Sequence, residues 1–393
     1  MPLPTILSIL IFCLATAGIL MVFAFYPLSV WLISFFKAPI TFNENTENPT
    51  VSIVVVLRNG EEIIRQKIEN SLKLDYDTQK LQLVFFSDGS TDKTEEIIRE
   101  YNNSNILMLS SASHIGKAPG INEAVKQCTG EILIFSDTDA ILDKAVIKDM
   151  VRHYDDPKTG GVCGQRVIYK QDISTIKDSQ QNYINFDSKI KFLESQIGSI
   201  TSNDGKLYSI RKSLFKPIEP DVTDDLYSCL SVIEQGYRFS FEPLAKAYIQ
   251  TPSRSPLHEI KRRRRVVARS LRGIYYKRNL LNPFKHGFFA VGLFVNKVIR
   301  RLLPICLILI FITSATLAMQ SSLFIWIWIL QLLFYTAGVF AFVVDKYNIP
   351  ISTIRKPLSL ILYFCVGMYG TLIGFFDFIS LKKYCKWDPK KTG

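Results

Sequence analysis

Three stretches of this chain carry no Lys, Arg, Asp or Glu: residues 1–36, 302–344 and 357–376. About 20 apolar residues in a helix cross the ~30 Å hydrocarbon core of a bilayer. Segments 5–26, 302–319, 322–344 and 357–379 meet that length, and Pro27 is placed to kink the continuation of the first through residue 36. Between Lys37 and Arg301 the composition is instead that of a soluble α/β domain. At 48% hydrophobic and 21% charged, the whole chain fits neither an all-membrane bundle nor a disordered polymer. The pattern implies a soluble domain anchored in a bilayer at both ends. It excludes a freely soluble enzyme and a small disulfide scaffold.

The net charge of +12 is unevenly spread, because residues 254–301 hold fourteen Lys or Arg against the single acid Glu259. A basic segment beside membrane spans belongs at an anionic cytoplasmic surface. Nucleic-acid binding is the rival explanation, and the spans that follow immediately weigh against it. Lys37 after the first span places the soluble domain in the cytoplasm by the positive-inside rule. A cleavable signal at Ala15-Thr16-Ala17 is discounted, because no basic segment precedes the apolar run and the run continues beyond it. The tail poses a conflict. Three spans after the domain put it outside, yet Lys382, Lys383, Lys386, Lys390 and Lys391 argue for inside. A re-entrant segment, or partial entry of 288–295, would reconcile the two. The seven scattered Cys form no zinc pattern and fit a reducing compartment. The expected division is therefore an N-terminal membrane helix (1–37), a catalytic domain (38–253), basic interfacial helices (254–301), about three C-terminal spans (302–380) and a basic tail (381–393).

Within the soluble part, Val51–Leu57 has the β-branched character of a buried parallel strand. Residues 61–72, 91–101 and 119–127 read as helices, with Ser90 or Thr91 capping the second, and 81–86, 106–109 and 131–135 read as strands. This alternation predicts a doubly wound, mostly parallel sheet that binds ligands at the carboxyl ends of its strands. Arg58, Asp88, and Asp137 with Asp139 all fall just past such ends. Two carboxylates spaced as Asp-x-Asp suit a hard divalent cation that also takes phosphate oxygens; the plain alternative is a pair of turn aspartates. Asp88 before Gly89 suits a base or ribose contact, or an ordinary Asp-Gly turn. Lys117 suits a phosphate, or a solvated loop. Asp224 and Asp225 open a helix through Glu234, where acids serve either as caps or as a general base.

The ordered stretches VSIVVVLRNGEE, VFFSDGSTDKT, GKAPGINEAVKQCTGEILIFSDTDA, NDGKLYSIRKSLF, VTDDLYSCLSVIEQGYRFSFEP and EIKRRRRVVARSLRG resemble the inverting family 2 glycosyltransferases. These are GT-A fold enzymes that include cellulose, chitin and hyaluronan synthases. The resemblance implies that Arg58, Asn59 and Asp88 line a nucleoside pocket and that Lys117 approaches the nucleotide. It implies that Asp137 contacts nucleotide or sugar, that Asp139 holds Mg²⁺ or Mn²⁺, and that Asp225 is the general base. Gly205, Tyr208 and Arg211 would lie on the acceptor side, with Asp224 beside them. It further implies a nucleotide-sugar donor, with UDP-linked sugars the expected ones, and a lipid-linked or polysaccharide acceptor in a bacterial plasma membrane. Departures are visible. Val56 and Gly60 replace the usual Pro and first Glu of strand one, and Ser87 replaces the first Asp of Asp-Asp-Gly-Ser. The processive Gln-x-x-Arg-Trp motif survives only as Arg262-Arg-Arg-Arg265-Val266. Arg265 is expected to neutralise diphosphate and the neighbouring arginines to form a solvated charge run. A processive synthase that exports its product, and an inactive scaffold of the same fold, are the rival functions. The sequence carries no signal for an oligomeric state.

Overall fold

The computed structural model describes residues 2–38, 42, 48–169, 175–249, 255–347, 349 and 355–386. Arg254, Lys390 and Lys391 lie outside them. Eight strands form one sheet: β1 (Val51–Leu57), β2 (Leu81–Asp88), β3 (Ile106–Ser111), β4 (Ile132–Ser136), β5 (Ile141–Leu142), β6 (Thr159–Ile168), β7 (Leu207–Arg211) and β8 (Arg238–Ile249). Their order is β3-β2-β1-β4-β7-β6-β8-β5. The first four are mutually parallel, so their carboxyl ends share one edge. β7 inserts antiparallel to both β4 and β6, and β5 is antiparallel to β8, so the sheet is mixed rather than nearly all parallel. β1 is buried throughout, and its side chains alternate between two cores. Val54 and Val56 face one with Tyr208, Leu226 and Leu230; Ile53, Val55 and Leu57 face the other with Ile64 and Ile68.

Several element ends differ from the sequence reading. The first helix begins at Ile64, and the second spans only Thr94–Arg99. Ser90 and Thr91 do not cap that second helix. Asp92 Oδ1 accepts from Thr94 N at 3.1 Å instead, while Ser90 and Thr91 bond Asn59. Lys117 is not in a loop; it opens the helix Lys117–Lys126.

Four described helical segments are long and apolar enough to cross a membrane: Leu3–Phe35, Pro283–Leu317, Ser322–Lys346 and Pro357–Ile379. The first passes through a π turn at Met21–Phe25, just where Pro27 removes a backbone donor. The second begins well before residue 302. It is broken at Gly287, whose φ of 54° favours glycine, and carries a π turn at Phe294–Ile299. The helix Arg355–Ile379 packs lengthwise on the basic helix Pro256–Tyr276. Gly367, Gly370 and Gly374 allow that approach: a Cβ on Gly370 would lie 3.1 Å from the Ile260 carbonyl, and one on Gly374 2.6 Å from that of Arg264. Arg264 also pairs with Asp377. The chain then turns back at Leu381 (φ 56°), and Cys385 O packs against Gly116 at the start of the Lys117 helix. The tail through Lys386 thus sits on the catalytic domain's side of any bilayer. Arg355–Ile379 also packs on the apolar helices Ser322–Lys346 and Arg300–Leu317, and its apolar part is itself long enough to cross a membrane.

The expected solvated arginine run is not what forms. Arg262 and Arg263 share Glu259, Arg264 holds Asp377, and Arg269 donates to Val222 O at 2.7 Å. A basic helix packed between other helices must find acceptors for the guanidinium groups it buries.

Candidate active site

The site grows from the shared carboxyl edge of β1, β2 and β4. After β1, Asn59 adopts φ 50°, which Asn tolerates better than most residues. Its Oδ1 accepts from Thr91 N at 2.8 Å and its own N–H donates to Ser90 Oγ at 3.1 Å, tying the loops after β1 and β2. Arg58 stands beside it, with Nε enclosed and without a hydrogen-bond partner. Asp88 is fully enclosed at the end of β2. It accepts from Ile115 N (2.7 Å) and Gly116 N (3.0 Å) and pairs with His114 Nδ1 (2.8 Å). It therefore holds the loop that delivers Lys117 and does not present a carboxylate to solvent.

Lys117 Nζ lies 2.7 Å from Asp137 Oδ1 and 2.9 Å from Asp224 Oδ2. Across from it, Lys206 Nζ bridges Asp137 Oδ2 (2.9 Å) and Asp139 Oδ1 (2.6 Å). Burial opposes charge on Asp137, but Lys117 and Lys206 overcome it and hold the carboxyl well below its usual range. Burial likewise works against Lys206, and Asp137 and Asp139 raise its pKa nonetheless. Arg265, on the basic helix, feels the field of Asp137 and Asp224, although desolvation and Arg269 lower its pKa.

Asp225 follows directly, and Gly205 lies against it: a Cβ there would come within 3.7 Å of its carboxyl. Asn203 Nδ2 fixes the Asp225 carbonyl at 2.9 Å. Desolvation, then the adjacent Asp224, push the Asp225 carboxyl up to about 6. Asp224 is not a helix cap: Thr223 occupies that position, and Asp224 pairs with Lys117. Tyr208 is buried in β7, stacked on Phe135 with centroids 4.7 Å apart; Asp224 and Asp225 act on its hydroxyl. Arg211 does not reach the site. β7 runs away from it, so Leu207 pairs with Ser136 at the site while Arg211 pairs with Ile132 at the far end. There Arg211 donates to the carbonyls of Thr159 and Tyr154.

Two lysines escaped the sequence reading. Lys206 follows Gly205 inside a stretch already singled out. Lys67 lies in the Ile64–Leu72 helix and had no signal at all. It is fully buried, donating to Ser136 Oγ (2.8 Å) and Ala140 O (2.6 Å), the two ends of the Asp137–Asp139 turn. Desolvation lowers its pKa to about 7 against the pull of Asp137 and Asp139. A buried amine is costly, and this one is held directly behind the Asp137–Asp139 turn. Lys67→Met is expected to keep the fold, because the volume is similar, and to raise the divalent-cation requirement about 10–100-fold, the usual effect of a lost outer-sphere partner. A thermal melt and an activity titration with Mn²⁺ check this; an unchanged Mn²⁺ midpoint would leave Lys67 a role in the fold alone.

Asp137 and Asp139 fit a divalent cation in kind. Both are hard oxygen donors, and both converge on the one ammonium of Lys206. Among the described residues no group of three or more His, Cys, Asp or Glu side chains is placed to hold a metal ion.

Residues 52–217 match the family model described as Glycosyl transferase family 2. Poly-β-1,6-N-acetyl-D-glucosamine synthase of Staphylococcus aureus (strain COL) is 26% identical over 208 residues, 51% of this chain and 50% of that protein. The Staphylococcus epidermidis enzyme of the same name is 25% identical over 248 residues, 58% and 60% of the two chains. The chain spans about half the length of the curated relatives it matches. A mannosyltransferase of Pyrobaculum calidifontis, solved with GDP-Man and Mn²⁺, superposes with a TM-score of 0.69 at 20% identity, covering 95% of this chain and 100% of that one. That likeness is one of fold, and the sheet is of the GT-A type.

Proposed function

We propose that the protein is a membrane-bound inverting glycosyltransferase. It moves a sugar from a nucleotide-diphospho sugar, with UDP-linked donors first, to a hydroxyl of a lipid-linked or polysaccharide acceptor at the cytoplasmic face. The observation that carries this reading is a near-neutral carboxyl, Asp225 beside Gly205, next to a set of cations around Asp137. Asp225 takes the acceptor hydroxyl proton, and the oxygen attacks the anomeric carbon from the face opposite the diphosphate. The bond from that carbon to the diphosphate oxygen breaks, its electron pair leaves with the nucleoside diphosphate, and the configuration inverts. Lys117, Lys206 and Arg265 supply positive charge where the leaving group develops negative charge. Asp139, with Asp137, would hold Mg²⁺ or Mn²⁺, which when bound adds charge neutralisation at the diphosphate. Arg58 and Asn59 stand at the nucleoside end.

Residues 38–253 form the catalytic unit in this reading and 254–301 the basic surface that meets anionic lipid. Lys37 and that surface support a cytoplasmic placement. The staphylococcal relatives are named for polymer synthesis, which keeps a processive mode as the second reading; Val266, where processive enzymes carry an aromatic platform, favours limited transfer. The test is nucleoside diphosphate release by the full-length protein in nanodiscs from a panel of UDP- and GDP-sugars, with product length read on a gel. Release stimulated by acceptor is the expected result. No release from any donor would make the chain a scaffold and overturn the reading.

A further inference from the structure

Basic side chains gather next to the site, at the junction with the membrane helices. Lys191 lies 2.8 Å from Asp187 on the helix Thr175–Ile197 and is itself 5% exposed. Lys297 and Arg300, from the segment Pro283–Leu317, act on the same carboxylate. Arg301 neighbours Arg300, Arg263 and Asp187, and Arg166 Nε stands 3.4 Å from Asp204 Oδ2.

Among the described residues, the acids nearby do not balance these five groups. Asp187 and Asp204 are two, and Glu259 is already shared by Arg262 and Arg263. Glu194, the next carboxylate along the helix, takes hydrogen bonds from Tyr26, Thr201 and Asn296. The Nε atoms of Arg300 and Arg301 are enclosed without a hydrogen-bond partner, and Arg166 Nε has only its 3.4 Å approach to Asp204. Enclosed cations in excess of acids are costly unless an anion joins them.

The place defines which anion. Lys297 Nζ donates to Ser202 Oγ at 2.7 Å, and Asn203 and Gly205, on the same strip of chain, address Asp225. From Ser202 to Gly205 the backbone spans at most ~10 Å, the scale of one or two sugar rings. On the other side, Ile190, between Asp187 and Lys191, packs with Val22, Tyr26, Val295 and Leu303 of the apolar helices.

We propose that this cluster binds the phosphate or pyrophosphate of a lipid-linked saccharide acceptor. Its sugar hydroxyl then lies at Asp225, and its hydrocarbon chain leaves along Leu3–Phe35 and Pro283–Leu317. The proposal rests on the glycosyltransferase reading and narrows its acceptor class.

The experiment uses the full-length protein in neutral phosphatidylcholine nanodiscs, with two acceptors bearing the same sugar: an undecaprenyl-diphospho sugar and an uncharged alkyl glycoside. Charge-assisted contacts predict a KM at least about tenfold lower for the diphospho-lipid. Lys297→Ala, and Arg300→Gln as a gentler second variant, should collapse that ratio toward one, with folding matched by thermal melt. Equal KM values in the wild type, or variants that weaken both acceptors alike, would overturn the proposal. So would activity set by added phosphatidylglycerol with no acceptor preference, which would assign the cluster to bilayer headgroups. Failure of the underlying reading looks different: the wild type would release no nucleoside diphosphate from any donor with either acceptor.

Discussion

Asp225→Asn is expected to slow sugar transfer by about 10²–10⁴-fold, the contribution of a positioned proton acceptor, while nucleotide-sugar affinity stays at the wild-type level. The asymmetry follows from geometry. Lys117, Lys206 and Arg265 gather around Asp137, whereas Asp225 lies beside Gly205. The pH profile adds a second signature. A base must be ionised to act, and the Asp225 carboxyl is pushed up to about 6 by desolvation and by Asp224. Transfer should therefore fall tenfold per pH unit below about pH 6, and Asp225→Asn should lose that limb. Asp224→Asn works in the other direction. Removing the adjacent negative charge favours ionisation of Asp225, so the acid limb moves to lower pH. Its cost to transfer should be milder, because it acts through Lys117 and the field rather than on the acceptor. Single-turnover transfer against pH for both variants, with donor affinity measured separately, decides the matter. A fast Asp225→Asn together with a dead Asp224→Asn would assign the base to Asp224.

Why some of this was legible from sequence and some was not follows from particular residues. β1, β2 and β4 announce themselves because a strand buried on both faces must be apolar throughout, and Asp88, Asp137 and Asp139 end up together because parallel strands share a carboxyl edge. β6 hides for the opposite reason. Its Gly160, Gly161 and Gly164 look like turn residues, yet a Cβ on Gly161 would overlap the Phe239 ring and one on Gly164 would overlap Leu207. Glycine there serves tight strand packing, which only the partner chain segments reveal. Arg211 was misplaced because spacing along a motif carries no strand direction. Antiparallel pairing of β7 with β4 sends it to the far end of the sheet. Lys67 was missed because its partners, Ser136 and Ala140, lie about seventy residues further along the chain, and a lone Lys on a short helix reads as surface. The arginine run misled for a related reason: nothing local shows that Asp377 and Val222 O lie across from it.

Chelation of divalent cations is expected to abolish transfer while leaving the fold intact, and Asp139→Ala to do the same in the presence of excess Mn²⁺. Two unpaired carboxylates side by side would repel in a partly buried site, and that repulsion alone would link metal loss to unfolding. Here Lys206 stands between Asp137 and Asp139 at 2.9 and 2.6 Å and carries the balancing charge itself. The thermal midpoint should therefore change little in EDTA. Activity should not be spared, because one ammonium carries a single positive charge and cannot chelate two diphosphate oxygens as a divalent ion does. Loss of an electrostatic stabiliser of this kind costs about 10²–10³ in turnover. Asp139→Ala keeps Asp137 for Lys117 and Lys206, so the variant should fold and retain the tie between the Lys117 helix and β4. A Mn²⁺ titration then separates the two roles of the pair. If Asp139 is the ligand, added Mn²⁺ restores the chelated wild type but not the Asp139→Ala protein. Full transfer in EDTA would show that Lys206 and its neighbours carry the diphosphate charge unaided, and the cation would have no place in the site.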